Sequence, residues 1–216
     1  MIRGLSADRV RRNLEAVRAG IADAGRDPEE VEVLAAVKYL PAEELEALAE
    51  GGVVVVGENR AQELAAKQRV AGDRFTWDFI GNLQSRKVRE ILPRVRYIHS
   101  VATDSVLAQL ERHGSDQTEV MVEVNVAGEA GKSGIAPAEL PAFLERCPVR
   151  VVGLMTMPPF VQVADDNRPH FAALRELAER HGLAQLSMGT SQDYLAAVRE
   201  GATIVRLGTT LYAGAP

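Results

Sequence analysis

Residues 203–212 read TIVRLGTTLY: a short β-branched run carries Arg206 to its end, and the chain then turns at Gly208 beside Thr209 and Thr210. Upstream, LSMGTS (186–191) repeats the arrangement, with Met188 and Gly189 set among Ser187, Thr190 and Ser191. Two strand ends that open into Gly/Ser/Thr turns can cradle a dianionic phosphate. Glycine lets backbone N–H groups come close, and a following helix start adds positive potential. Nearer the N-terminus, AAVKYLP (35–41) ends another apolar run with Lys38. A lysine there can aim its amine into a partly desolvated mouth, where its pKa falls and it becomes a Schiff-base nucleophile.

A phosphate cradle, an arginine and one strand-end lysine point to a phosphorylated aldehyde cofactor. In a pyridoxal phosphate site the ring nitrogen takes an Asp or an Arg as partner. Arg206 would stay charged, donate to an unprotonated nitrogen and leave a weaker electron sink. The competing reading of Arg206 is a salt bridge to a barrel acid such as Glu123.

Other residues gather near the same place. In GENRAQEL (57–64), Asn59 can reach the mouth while Glu58 favours a helix N-terminus, with capping by both as the alternative. In WDFIGNLQSRKVREIL (77–92), Gly81 and Asn82 end a strand, and Gln84, Ser85, Arg86 and Lys87 begin a helix. A solvated basic face explains Arg86 and Lys87 as well as ligand contact does. VEVNVAGEAGKSG (122–134) leaves a strand at Asn125 and enters a glycine-rich loop carrying Lys132, an amine near the mouth; glycine clusters alone signal only turns. His99 is expected to line the mouth. His113 and His181 fit helix C-termini, and His170 has no visible partner. Met155 and Met157 read as packing.

The elements that must position these residues alternate regularly. Ser6 can cap a first helix in which Val10, Leu14, Val17 and Ile21 recur at helical spacing, ending near Gly25 and Pro28. Strands are expected at 31–37, 53–56, 78–80, 97–101, 119–126, 150–155, 184–187 and 203–207. Helices are expected at 42–50, 59–70, 85–92, 104–113, 137–146, 168–181 and 192–200. Eight strands with intervening helices imply a parallel sheet, and eight is the number that closes a TIM-type (β/α)₈ barrel, favoured over an open doubly wound sheet. No Gly/Ser-rich linker divides the chain, so one domain over 1–216 is expected. In such a barrel, function collects at the C-terminal strand ends and phosphate at the loops after strands seven and eight. Those loops are SMGTS and LGTT.

Composition narrows the class. The 216 residues carry 25 basic and 30 acidic side chains, a formal net charge of −5, with no basic block of the kind that binds nucleic acid. Cys147 is the single cysteine, so an internal disulfide is excluded, and no His/Cys/Asp/Glu spacing suggests a metal. No apolar stretch is long enough for a membrane span, and no signal segment is visible. A cytoplasmic protein is expected.

Taken in order, AAVKYLP, GENRAQEL, WDFIGNLQSRK, HSVATDSVLAQL, VEVNVAGEAGKSGI, GLMTMPP, LSMGTSQDY and VRLGTTLYAG resemble the YggS/PROSC-type pyridoxal phosphate homeostasis proteins. The resemblance spans nearly all of residues 30–214. That family usually has histidine where Asp78 stands, and often Ser or Thr at Val37; neither departure is expected to touch the cofactor contacts. The resemblance implies a barrel like the N-terminal domain of alanine racemase, holding pyridoxal 5′-phosphate as an internal aldimine on Lys38 with Arg206 at the ring nitrogen. Ser187, Met188, Gly189, Ser191, Gly208 and Thr209 would contact the phosphate, several through backbone N–H, and Asn59 would lie near the ring.

The family implies binding, buffering or delivery of the cofactor, with apo pyridoxal phosphate enzymes as partners and no established turnover. An amino-acid racemase needs two acid/base groups on opposite faces of a carbanion. The sequence ends at Pro216, directly after the eighth strand and its turn, so a second domain supplying the other group is not expected, and a monomer is. Two alternatives remain open. One is a low-activity racemase or lyase using Tyr39 or His99 as second base. The other is a cofactor-free Schiff-base aldolase acting on a sugar phosphate.

Overall fold

The computed structural model describes residues 2–213, so residues 1 and 214–216 of the expected domain lie outside the described residues. Eight parallel strands close on themselves in sequence order, β8 pairing back onto β1. They are β1 (Glu32–Ala36), β2 (Val55–Glu58), β3 (Thr76–Phe79), β4 (Tyr97–Val101), β5 (Glu119–Glu123), β6 (Arg150–Met155), β7 (Gln185–Thr190) and β8 (Ile204–Leu207). Each expected strand is present. The third begins two residues earlier than its short apolar run, at Thr76, and the second runs on to Glu58, because barrel pairing rather than local hydrophobicity sets the ends.

The α-helices are α1 (Ala7–Asp23), α2 (Leu45–Glu50), α3 (Ala61–Ala71), α4 (Val88–Ile91), α5 (Asp104–His113), α6 (Leu140–Arg146), α7 (Arg168–Arg180), α8 (Tyr194–Arg199) and α9 (Thr209–Ala213). Helix α1 buries Val10, Leu14, Val17 and Ile21 and packs on α2 and α9. Its N-cap is Ser6, but the Ser6 side chain makes no capping hydrogen bond. Single 3₁₀ turns lead into α2, α4, α6 and α7. The short α9 continues past the eighth strand and was not expected as an element.

Alternation along each strand separates two cores. Outward residues such as Val33, Ala35, Val56, Ile98, Val120 and Leu186 join the helices in the main core. Inward residues Leu34, Val55, Met121, Met155 and Ile204 fill the barrel. Polar inward residues also lie inside the barrel: Asp78, His99, Glu123, Ser187 and Arg206 are all buried.

Candidate functional site

A cavity of about 830 Å³ opens at the C-terminal strand ends. Lys38, two residues beyond β1, lines it, as do Asn59 after β2, Glu123 at the end of β5, Arg206 on β8, Ser191 in the loop after β7 and Thr209 at the start of α9. Lys38 is exposed at the rim, with its ammonium 5.0 Å from the Tyr39 ring centre. The partial desolvation expected for it is therefore not supplied by neighbouring side chains. Tyr39 is itself 61% exposed.

Arg206 is held on nearly every side. Its Nη1 donates to the Ser187 carbonyl and hydroxyl, each at 2.6 Å, and its Nη2 to the Thr156 carbonyl at 2.9 Å and the Met157 sulfur at 2.8 Å. That leaves Nε–H without a partner among the described residues. Glu123 makes no ion pair with it; the Ser133 hydroxyl donates to Glu123 at 2.8 Å instead. Loss of water pulls the Arg206 guanidinium down to about 10, against the opposing pull of Glu123 and Asp193. Burial pushes the Glu123 carboxyl up, with Ser133 and Arg206 acting the other way.

The last two loops are tied together by Ser191. Its hydroxyl accepts from the N–H of Gly208 at 3.1 Å and of Thr210 at 3.3 Å. Asp193 stiffens the preceding turn by accepting from the Thr190 N–H at 2.7 Å and the Thr190 hydroxyl at 3.0 Å. The backbone N–H groups of Ser191 and Thr209 have no partner among the described residues. Gly189 sits at φ +90°, and a Cβ there would meet the Ala197 Cβ at 2.7 Å, so this position requires glycine. Ser187 and Met188 are wholly buried beneath the cavity and do not line it. The Ser187 hydroxyl is spent on Arg206 and His99 rather than offered to a ligand.

Glu58 and Asn59 divide the roles that the sequence left open. Glu58 accepts from the N–H of Asn59 at 2.7 Å and of Arg60 at 3.2 Å, and pairs with the buried Lys67 at 2.5 Å. Asn59 does not cap; its Oδ1 is buried with no partner and belongs to a residue lining the cavity. Gly81 packs against the Asn59 backbone. Ser133 reaches the cavity, whereas Lys132 pairs with Glu129 on the loop surface and does not line it. Arg86 bonds Gln84, and Lys87 bonds Glu90, away from the cavity.

His99 corrects an expectation. It does not line the mouth; it is wholly buried, with Nδ1 2.8 Å from the Ser187 Oγ and Nε2 3.1 Å from Asp78. Asp78, expected to lie apart from the cofactor contacts, thus reaches Arg206 through two side chains. Asp193 and Lys67 were missed, as was the pairing of Glu58 with Lys67; TSQD, with its acid three residues after Thr190, carried the signal for Asp193 alone. Among the described residues no cluster suits a metal ion, and no helix is long and apolar enough to cross a membrane.

The residues that line the cavity suit a phosphorylated aromatic aldehyde: the exposed Lys38 amine, Ser191 and Thr209 with unpartnered N–H groups after the last two strands, the Arg206 guanidinium and the Asn59 amide. The family model of the alanine racemase N-terminal domain matches residues 5–216, which gives the class: barrels of the alanine racemase type. The pyridoxal phosphate homeostasis protein of Aquifex aeolicus (strain VF5) is 37% identical, the match covering 96% of this chain and 97% of that one. The protein of the same description from Pseudomonas aeruginosa is 39% identical over 91% of this chain and 90% of its own. This chain belongs to the pyridoxal phosphate homeostasis protein family. Among solved structures, PipY of Synechococcus elongatus PCC7942 with PLP bound superposes with a TM-score of 0.79 at 30% identity, covering 94% of this chain and 99% of PipY.

Proposed function

We propose that this chain binds pyridoxal 5′-phosphate at the barrel mouth and serves its homeostasis, by holding, buffering or delivering it to apo enzymes that use it. The observation that carries the reading is the convergence of Lys38, Asn59 and Arg206 on one cavity beside a stiffened pair of loops. Lys38 would take the aldehyde carbon, and Arg206 would donate to the ring nitrogen. Ser191, Gly208 and Thr209 would hold the phosphate, with Gly189 letting the turn approach. Ser187 and Met188 support that turn from below. When bound, the cofactor supplies an electrophilic carbon conjugated to an electron-withdrawing ring. A guanidinium at the ring nitrogen leaves that nitrogen unprotonated and the sink weak, which favours storage over carbanion chemistry.

One observation favours a second reading, a low-activity racemase or lyase. Glu123 lines the cavity with its carboxyl raised by burial, as a proton-moving group requires. His99 is sealed from the cavity and does not serve that role. The deciding experiment loads the protein with pyridoxal phosphate and measures transfer to an apo transaminase beside racemisation of alanine and other amino acids. Transfer without racemisation is expected. Racemisation that vanishes in both Lys38→Ala and Glu123→Gln would replace the carrier reading with the enzymatic one.

A further inference from the structure

A single hydrogen-bonded chain crosses the barrel interior. Arg96, just before β4, donates to Glu32 at the start of β1, both at the end of the barrel away from the mouth, through Nη1 at 2.9 Å and Nη2 at 2.6 Å. The same guanidinium donates to both oxygens of Asp78, through Nε at 3.1 Å and Nη2 at 2.7 Å. The Tyr97 N–H adds a further bond to Asp78 Oδ1 at 3.2 Å. Asp78 Oδ2 then faces His99 Nε2 at 3.1 Å, His99 Nδ1 faces Ser187 Oγ at 2.8 Å, and Ser187 Oγ faces Arg206 Nη1 at 2.6 Å.

The direction of every bond in this chain is determined by its ends. Asp78 can only accept, and burial, helped by the charges of Arg206 and Arg96, outweighs the opposing pull of Asp78 and favours neutral His99. His99 therefore carries its single proton on Nε2 and donates it to Asp78. Nδ1 is then an acceptor, so the Ser187 hydroxyl must donate to it. That turns the Ser187 lone pairs toward Arg206, which can only donate. We infer that Asp78, through His99 and Ser187, is a positioning residue that fixes the orientation of Arg206 and so aims its Nε–H into the cavity. This inference rests on the proposed binding of pyridoxal phosphate only for the role of that N–H, not for the order of the protons.

Replacing Asp78 by asparagine tests the chain because its effect has a calculable direction. With the amide nitrogen at the Oδ1 position it would face two donors, Arg96 Nε and the Tyr97 N–H. At the Oδ2 position it faces one donor, Arg96 Nη2, and can bond His99 if His99 accepts at Nε2. The second placement leaves fewer donors opposed. It moves the histidine proton to Nδ1, where it displaces the Ser187 hydroxyl hydrogen and competes with Arg206 for Ser187 Oγ.

Nitrogen NMR of the His99 ring in the unloaded protein reads the tautomer directly. The expected result is an Nε2–H ring in the unaltered protein and an Nδ1–H ring in Asp78→Asn. In the loaded protein, Asp78→Asn should shift the cofactor absorbance band and weaken uptake by about fivefold, the loss of one net hydrogen bond. Ser187→Ala cuts the chain between His99 and Arg206, so adding Asp78→Asn to it should still switch the tautomer but no longer move the band. A wild-type ring protonated at Nδ1, or effects of the two substitutions on the band that simply add, overturns the inference. If Asp78→Asn does not fold, the wild-type tautomer and a band in Ser187→Ala unchanged from the unaltered protein remain able to refute it. Failure of the unaltered protein to take up pyridoxal phosphate would overturn the function proposed above, while the tautomer would still decide the order of the protons.

Discussion

The buried ammonium of Lys67 donates to the carbonyl of Val37 at 2.7 Å, one residue before Lys38, while pairing with Glu58 at 2.5 Å. A helix-borne lysine thus ties the end of β1 to the end of β2, the two strand ends that carry Lys38 and Asn59. Removing one member of such a pair leaves the other charge buried and alone. Lys67→Met is expected to cost about 3–5 kcal/mol in urea unfolding, and the double variant Lys67→Met/Glu58→Gln to recover a large part of it. Equal losses in single and double variants would contradict the clamp.

Acid should weaken the fold in two stages. His99 is held below its ordinary 6.5 by burial, which outweighs the opposing hydrogen bond and charge of Asp78, with Arg206 and Arg96 adding to the lowering. It stays neutral when folded and takes a proton when unfolded, so stability falls as pH drops below 6.5. For Asp78, burial alone would raise the pKa, but hydrogen bonds from His99 and Arg96 outweigh it and hold the carboxyl below 3.8. Its contribution is complete above that value and is lost as pH falls through the lower folded one. Glu123, raised by burial, acts in the opposite sense, because the folded state keeps its proton longer as pH rises. Glutamine at position 99 can donate to Asp78 and accept from Ser187 without titrating. Urea midpoints of His99→Gln should therefore vary less than wild type between about pH 5 and 7.5; an unchanged slope would remove His99 from the account.

Gly81 leaves no room for a side chain. A Cβ there would overlap the Asn59 carbonyl and sit 2.6 Å from the Asn59 Cα. Gly81→Ala must push the Asn59 backbone out of place, at a cost of about 1–3 kcal/mol. Uptake of pyridoxal phosphate should fall with it. Normal uptake by a variant with lowered melting temperature would show that Asn59 is not needed at the mouth.

The order of elements was legible in the sequence because each strand and helix carries its own period. β4, β6 and α5 match the expected limits, and the loops after β7 and β8 lie where the glycines and hydroxyls placed them. What lay inside the barrel was not legible. Asp78, His99, Ser187 and Arg206 sit on four different strands, and only strand stagger brings them into contact. For the same reason Arg206 looked free to meet Glu123, although its Nη1 and Nη2 donate to Ser187, Thr156 and Met157. Lys67 carried no sequence signal, because nothing local records that its helix face turns toward two strand ends.

Ser191 holds the two terminal loops together with one hydroxyl. Ser191→Ala orphans the N–H groups of Gly208 and Thr210 and should cost about 1–3 kcal/mol. Because the loosened turn is the one assigned to the phosphate, affinity for pyridoxal phosphate should fall more than affinity for unphosphorylated pyridoxal. Equal losses for both ligands would place the phosphate elsewhere.

The central claim is the attachment of the cofactor to Lys38. The most direct test loads wild type and Lys38→Ala with pyridoxal phosphate, records visible absorbance, reduces with borohydride and maps the modified peptide. A yellow wild type modified at Lys38 and a variant that has lost the band are expected. A wild type that takes up no cofactor, or a band and modification that persist on another residue with Lys38 unmodified, would contradict it.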